Sequence, residues 1–150
     1  MQVTRAEEYA VIGLLYLTKQ PPGKVVMIDE ISDGEAIPKS FLAKIFQLLV
    51  KGGLINSHRG AGGGFSLARS PAEINLLQIF SCIQGAFALQ KCVGDEPECV
   101  VSHDRLRSCV LCGIFNEAQC RVNEVFARTM LQDLLQPRAK HSPPKPVTVA

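Results

Sequence analysis

Cys92, Cys99, Cys109 and Cys112 fall within 21 consecutive residues, with six, nine and two residues between them. Thiolates are preferred ligands of zinc and of iron–sulfur clusters, and four on one loop can converge on a single site. A closed zinc site usually offers two closely spaced pairs, and here only Cys109-Val110-Leu111-Cys112 qualifies. Spacing alone therefore leaves zinc and an iron–sulfur cluster even. Of the remaining cysteines, Cys82 lies among Ile79, Phe80 and Ile83 at helical spacing and reads as a core thiol. Cys120, eight positions beyond Cys112, reads as structural.

A second stretch with chemical potential is HRGAGGGFSLARS, residues 58–70, with four glycines among the five positions 60–64. A phosphate cradle makes demands that these letters do not meet. A Walker loop needs a lysine after its glycines, and none follows; the dinucleotide fingerprint needs a third glycine where Phe65 stands, and a helix where the pattern is strand-like. A hairpin tip satisfies both counts, since glycine supplies the positive φ of a tight turn and lets backbone approach a phosphate closely. No Ser–His–Asp arrangement and no paired acids in a plausible cleft accompany it, so no enzyme is expected.

The charge distribution says what the tip faces. The net charge is only +2, yet residues 36–72 carry Lys39, Lys44, Lys51, Arg59 and Arg69 with no Asp or Glu. A +5 segment inside a nearly neutral chain is a local field for anions. The N-terminus MQVTRAEEYA has adjacent acids and no apolar h-region, so no secretory signal is expected. No apolar run approaches the ~20 residues of a membrane span. The expected compartment is the cytoplasm, where thiols stay reduced and clustered cysteines serve metal or redox chemistry.

These residues need elements to hold them. Thr4-Arg5-Ala6-Glu7 is a capping box opening an amphipathic helix over 5–18, which Pro21-Pro22-Gly23 ends. A short helix over Ile28–Asp33 stops near Gly34. Pro38 opens a helix to Lys51 with an apolar stripe of Phe41, Leu42, Ile45, Phe46, Leu48 and Leu49. Its polar face carries Ser40, Lys44, Gln47 and Lys51. Gly52-Gly53 ends it, and strands over Leu54–Arg59 and Phe65–Arg69 flank the glycine tip. Ser70-Pro71-Ala72-Glu73 is a second capping box opening a helix to Gly85. Residues from about Gln90 to Cys112 read as loop, and a long helix follows from about Ile114 to Leu135. That helix is longer than a small domain needs, which points to packing against a partner chain. Four prolines without periodicity mark 137–150 as a disordered tail.

The order helix, short helix, basic-faced helix, hairpin is that of a winged helix-turn-helix, in which the second helix of the pair enters the major groove beside the wing. The expected fold is mainly α with a small β-hairpin wing and a long C-terminal dimerisation helix. Its divisions are a DNA-binding domain over 1–85, a cysteine-rich loop over 86–112, the dimerisation helix over 113–136 and the tail.

IPKSFLAKIFQLLVKGGLINSHRGAGGGFSL, residues 37–67, resembles the signature region of the IscR/NsrR superfamily of bacterial winged-helix regulators, with RGAGGGF its specific part. These include the iron–sulfur cluster regulator and the nitric-oxide-sensitive repressor. The likeness runs from about Met1 to Leu135. It implies a homodimer, double-stranded DNA with an inverted-repeat operator as partner, and contacts from Lys39, Ser40, Lys44, Gln47, His58, Arg59, Gly62 and Gly63. Where the iron–sulfur cluster regulator has an acid on this helix, Ala43 stands here, so a different target sequence is implied. The resemblance also turns the cysteines toward an iron–sulfur cluster, 2Fe–2S in preference to 4Fe–4S. By position Cys92, Cys99 and Cys109 become ligands, and Cys112, where some relatives place a histidine, the fourth. The gap before Cys109 is longer than usual, which keeps His103 and Asp104 as substitutes for Cys99. Glu8 matches a carboxylate that other relatives draw from the partner subunit's first helix, although an exposed helix acid is the plainer reading. His141 suggests no role.

The expected function is thus a transcription regulator whose DNA affinity a cluster controls. A small iron–sulfur electron carrier would explain the cysteines but neither the helix–wing order nor the acid-free stretch. A winged-helix regulator with a zinc or thiol switch is the other alternative.

Overall fold

A computed structural model describes residues 3–85, 88–89 and 110–136 of the 150. In chain order they form α1 (Arg5–Thr18), α2 (Ile28–Glu35), α3 (Lys39–Lys51), β1 (Ile55–His58), β2 (Gly64–Leu67), α4 (Leu76–Gln84) and α5 (Val110–Arg128), then a 3-10 turn over Leu131–Leu134. The strands pair antiparallel, Ile55 opposite Leu67 and His58 opposite Gly64. The fold is the mainly helical, hairpin-bearing winged helix that the order of signals implies.

Glu7 closes the N-terminus of α1: its Oε2 accepts from the Thr4 amide at 2.6 Å and from the Thr4 hydroxyl at 2.8 Å. From there Ala10, Leu14 and Leu17 enter a core shared with Ile31, Leu42, Ile45, Phe46, Leu49 and Ile79. Gly13 is where α1 and α3 press together, since a Cβ there would lie 2.7 Å from the Phe46 ring. Phe46 in turn stands edge-on to Phe65 of the wing, with centroids 4.9 Å apart. The recognition helix and the hairpin are thus fixed to one core.

Several boundaries differ from the sequence reading, each for a tertiary reason. Helix α2 does not stop at Gly34 but at Ala36, which takes the left-handed conformation (φ 53). Gly34 is there for space: a Cβ would come within 2.9 Å of the Tyr16 ring. Helix α3 starts at Lys39, with Pro38 as its cap rather than its first residue. Ser70–Glu73 forms its local bonds (Ser70 amide to Glu73 Oε2, 3.1 Å) but only a single turn. Buried Ile74 and Asn75 are drawn extended, the Ile74 carbonyl accepting from the Leu131 amide at 2.7 Å and Asn75 bridging Met130. Helix α4 then begins at Leu76, capped reciprocally by Asn75 and Gln78.

The long helix is displaced toward the N-terminus. It begins at Val110, which puts Cys112 on helix rather than loop, and it ends at Arg128 rather than Leu135. The cause is Leu131, which is completely buried in the core of the winged unit and turns the chain back onto α1. Phe126 faces inward, edge-on to Phe80 at 5.0 Å, while Val125 is exposed. The tail, residues 137–150, lies outside the described residues.

Candidate nucleic-acid interface

Helices α2 and α3 are joined by Ala36, Ile37 and Pro38, a turn of helix-turn-helix length. It is rigid: Ile37 is buried, its amide donates to the Ser32 carbonyl (3.0 Å), and the Ser32 hydroxyl donates back to the Ile37 carbonyl (2.7 Å). With Leu42, Ile45, Phe46 and Leu49 buried, the opposite face of α3 presents Lys39, Ser40, Lys44, Gln47 and Lys51 to solvent. Phe41 does not join the buried stripe; it is exposed and meets Tyr9 edge-on at 5.8 Å.

The wing lies beside that face. A turn closed by the Gly63 amide and the Gly60 carbonyl (2.9 Å) forms its tip, with Gly60 (φ 102) and Gly62 (φ 81) in the left-handed region. Gly64 answers a different demand. Val26 pairs with Phe65 through two backbone bonds of 2.9 and 2.8 Å, making a third, single-residue strand, and a Cβ on Gly64 would stand 2.2 Å from the Val26 carbonyl oxygen. His58 and Arg59 are exposed where β1 meets the tip, and His58 Nε2 lies 2.9 Å from Ser66 Oγ across the hairpin. The structure therefore brings together on α3 and the wing all eight of the residues expected to contact DNA.

One partner was not visible in the local pattern. Asp29, in the first turn of α2, holds Lys39 in an ion pair at 2.5 Å. Lys44, Lys51, Arg59 and Arg69 have no ion pair among the described residues, so their charge is available to an anion.

Of the cysteine cluster, Cys112 is half-buried in the first turn of α5, while Cys92, Cys99 and Cys109, like His103 and Asp104, lie outside the described residues. Among the described residues no three His, Cys, Asp or Glu side chains gather around a point. A thiol in the opening turn of a helix suits a metal ligand chemically, because the helix N-terminus stabilises an anionic sulfur. Glu8 is exposed, as is Cys120. Cys82 packs where the end of α3 meets α4: a Cβ on Gly52 would fall 2.1 Å from its Sγ. Burial pushes that thiol above its ordinary value, with the Arg69 charge pulling the other way.

Fold and surface together define a winged helix-turn-helix DNA-binding protein. Residues 3–137 match the Rrf2 family, described as iron-dependent transcriptional regulators, and the chain belongs to that family. It is 30% identical over 135 residues to the HTH-type transcriptional regulator NsrR of Shouchella clausii, covering 90% of this chain and 89% of that one. Among solved structures, the global cysteine regulator CymR of B. subtilis superposes with a TM-score of 0.69 at 22% identity, covering 89% of this chain and 95% of that one. T. potens IscR gives 0.68 at 23%, covering 90% and 86%. The chain is a DNA-binding transcription regulator from a family that is not enzymatic. Among the described residues, no helix is long and apolar enough to cross a membrane.

Proposed function

We propose that the protein is a homodimeric, cytoplasmic repressor or activator of transcription that binds an inverted-repeat operator under control of an iron–sulfur cluster. The observation that carries the DNA half is the solvent-facing basic surface of α3 and the wing, whose own residues include no acid and to which α2 brings Asp29 beside Lys39. Ser40, Lys44 and Gln47 read base edges in the major groove. Lys39, His58 and the backbone at Gly62 and Gly63 engage phosphate, and Arg59 enters the flanking minor groove, where the potential is most negative. Two-fold symmetry of the protein then dictates a palindromic site.

The dimer is supported by α5. Leu111, Ile114 and Val125 are exposed on one side of it, an apolar stripe with nothing of the same chain upon it among the described residues. The sensing half rests on the family's iron dependence and on thiol chemistry. Cys92, Cys99, Cys109 and Cys112 would hold the group, 2Fe–2S in preference to 4Fe–4S, and what it would supply when bound is an iron–sulfide core that oxidants or nitric oxide can dismantle. The chain's own part is to let loss of that anchorage alter the pose of α5 and hence the spacing of two recognition helices, a change that needs different affinity for two arrangements.

Two measurements test this. Protein purified without oxygen is assayed for iron, acid-labile sulfide and zinc, and Cys92→Ser, Cys109→Ser and Cys112→Ser are compared for operator binding. Iron and sulfide in matching amounts, with altered operator affinity in the variants, is the expected result. Unchanged affinity and sequence preference would remove the sensor and leave the regulator. Zinc without sulfide would favour the second reading, a zinc or thiol switch, which the close Cys109–Cys112 pair also fits.

A further inference from the structure

Ser66 is 5% exposed on β2, and its hydroxyl lies 2.9 Å from Nε2 of His58 across the hairpin, the one hydrogen bond its side chain makes among the described residues. The strand register explains the reach. Asn56 stands opposite Ser66 and His58 opposite Gly64, so these four share a face, and the diagonal from His58 to Ser66 passes a residue with no side chain. The imidazole can therefore lean over Gly64 to the buried hydroxyl. A buried O–H needs an acceptor. Nε2 is the one available to Ser66 among the described residues, so the hydroxyl donates and the proton of the neutral His58 ring is left on Nδ1. Resting on the placement of the wing against DNA proposed above, we infer that Ser66 is a positioning residue for DNA binding, which fixes the wing histidine in the form whose Nδ1–H donates to a backbone phosphate.

Ser66 acts through His58: it is buried, whereas His58 is exposed beside Arg59, the residue assigned to the minor groove. A neutral histidine with neither nitrogen held rotates about its side-chain bonds and carries its proton on either one. Only part of that population offers Nδ1–H to a phosphate, and apparent affinity falls in proportion. Held by Ser66, the neutral ring is already the donor that a phosphate oxygen needs. Acid removes the need for Ser66, because a charged imidazole donates from both nitrogens. The charged groups around the ring are few. Asp29 of α2 lines the same hollow between α2 and the wing, with Lys39 paired to it, and Arg59 is the chain neighbour; Val26 and strand β2 bring none.

The probe is a DNA duplex enriched by the native protein from a randomised pool, titrated by anisotropy at about pH 8 and about pH 5.5, near the ends of the range in which histidine changes charge. Ser66→Ala, His58→Ala and the double variant are each compared with native protein at the same pH, so that titration elsewhere cancels. Amide exchange at Phe65 reports that the hairpin is paired in each; should Ser66→Ala fail that check, Ser66→Val, with its higher strand preference, replaces it. The expected result is binding about tenfold weaker in Ser66→Ala at the higher pH, the loss of a hydrogen bond to a charged group. The deficit should shrink at the lower pH, and adding Ser66→Ala to His58→Ala should cost nothing further. An equal deficit at both pH values, or the same loss in the His58→Ala background, would mean that Ser66 merely shapes the hairpin. Either would overturn the inference, as would full affinity of Ser66→Ala at the higher pH, while the DNA contact of His58 stands. Should His58→Ala itself leave affinity unchanged at both pH values, the phosphate role given to His58 fails, and this inference with it.

Discussion

At the residue scale, two local contacts decide more than their size suggests. Asp29 and Lys39 are both well exposed, so their ion pair contributes little to stability. Its effect is on the surface it neutralises. Asp29→Asn should leave the unfolding midpoint unchanged while tightening binding to operator and scrambled duplex alike, with the salt slope steeper by about 0.9 as one more phosphate is engaged; anisotropy titrations at several salt concentrations read this directly. A gain confined to the operator would mean that Asp29 acts on specificity. The other contact is Cys82 against Gly52. Gly52 has an ordinary right-handed φ of −76, so alanine is acceptable to the backbone and the obstacle is the thiol. Gly52→Ala should destabilise by about 1–3 kcal/mol through overpacking, and Cys82→Ala in the same chain should recover most of it, a coupling that denaturant titration of the four-member cycle measures. Because burial raises the Cys82 thiol, its alkylation rate should climb only at higher pH than that of a small-molecule thiol in free solution. The role of Cys82 was legible from its apolar neighbours in sequence; the identity of the glycine it presses on was not, since that pairing joins two elements 30 residues apart.

At the scale of elements, what could be read locally was read correctly. The recognition helix carries its own punctuation in Pro38 and in Gly52-Gly53, and its buried and polar faces follow the helical period. The exposure of Lys39, Ser40, Lys44 and Gln47 was legible for the same reason. The errors fall where a distant segment overrules a local signal: Gly34 resembles a helix stop but is kept small for Tyr16, and Ser70–Glu73 resembles a helix start but the strand-like pairing of Asn75 with Met130 interrupts it. Val26 escaped notice because a single bridging residue leaves no periodicity. Gly64→Ala tests its importance. With the Val26 carbonyl oxygen in the way, the bridge should open, and Phe65 amide exchange should accelerate by at least about tenfold while that at Leu49 stays slow. On α5, Ile114→Glu with Val125→Glu places charge in the exposed apolar stripe. Sedimentation should then show monomer with unchanged helix content, and operator affinity should fall at least about a hundredfold as the two half-sites lose their tether.

For the whole molecule, a net charge of +2 conceals a strongly divided sequence, with acids flanking a segment that has none. Two copies of the basic face on one operator should lose about 10³–10⁵ in affinity between 50 and 200 mM salt; a flat dependence, measured by anisotropy, would count against phosphate engagement by α3 and the wing. The burial of Leu131 has a consequence of another kind. The chain passes through the reading head and comes back along α5 to complete the hydrophobic interior it began. A gene fragment encoding only residues 1–85 would leave a hole lined by Ile74 and its neighbours, so the head alone should be less stable than the full chain. A graft of this head onto another segment should therefore keep its stability best when the counterpart of residue 131 travels with it.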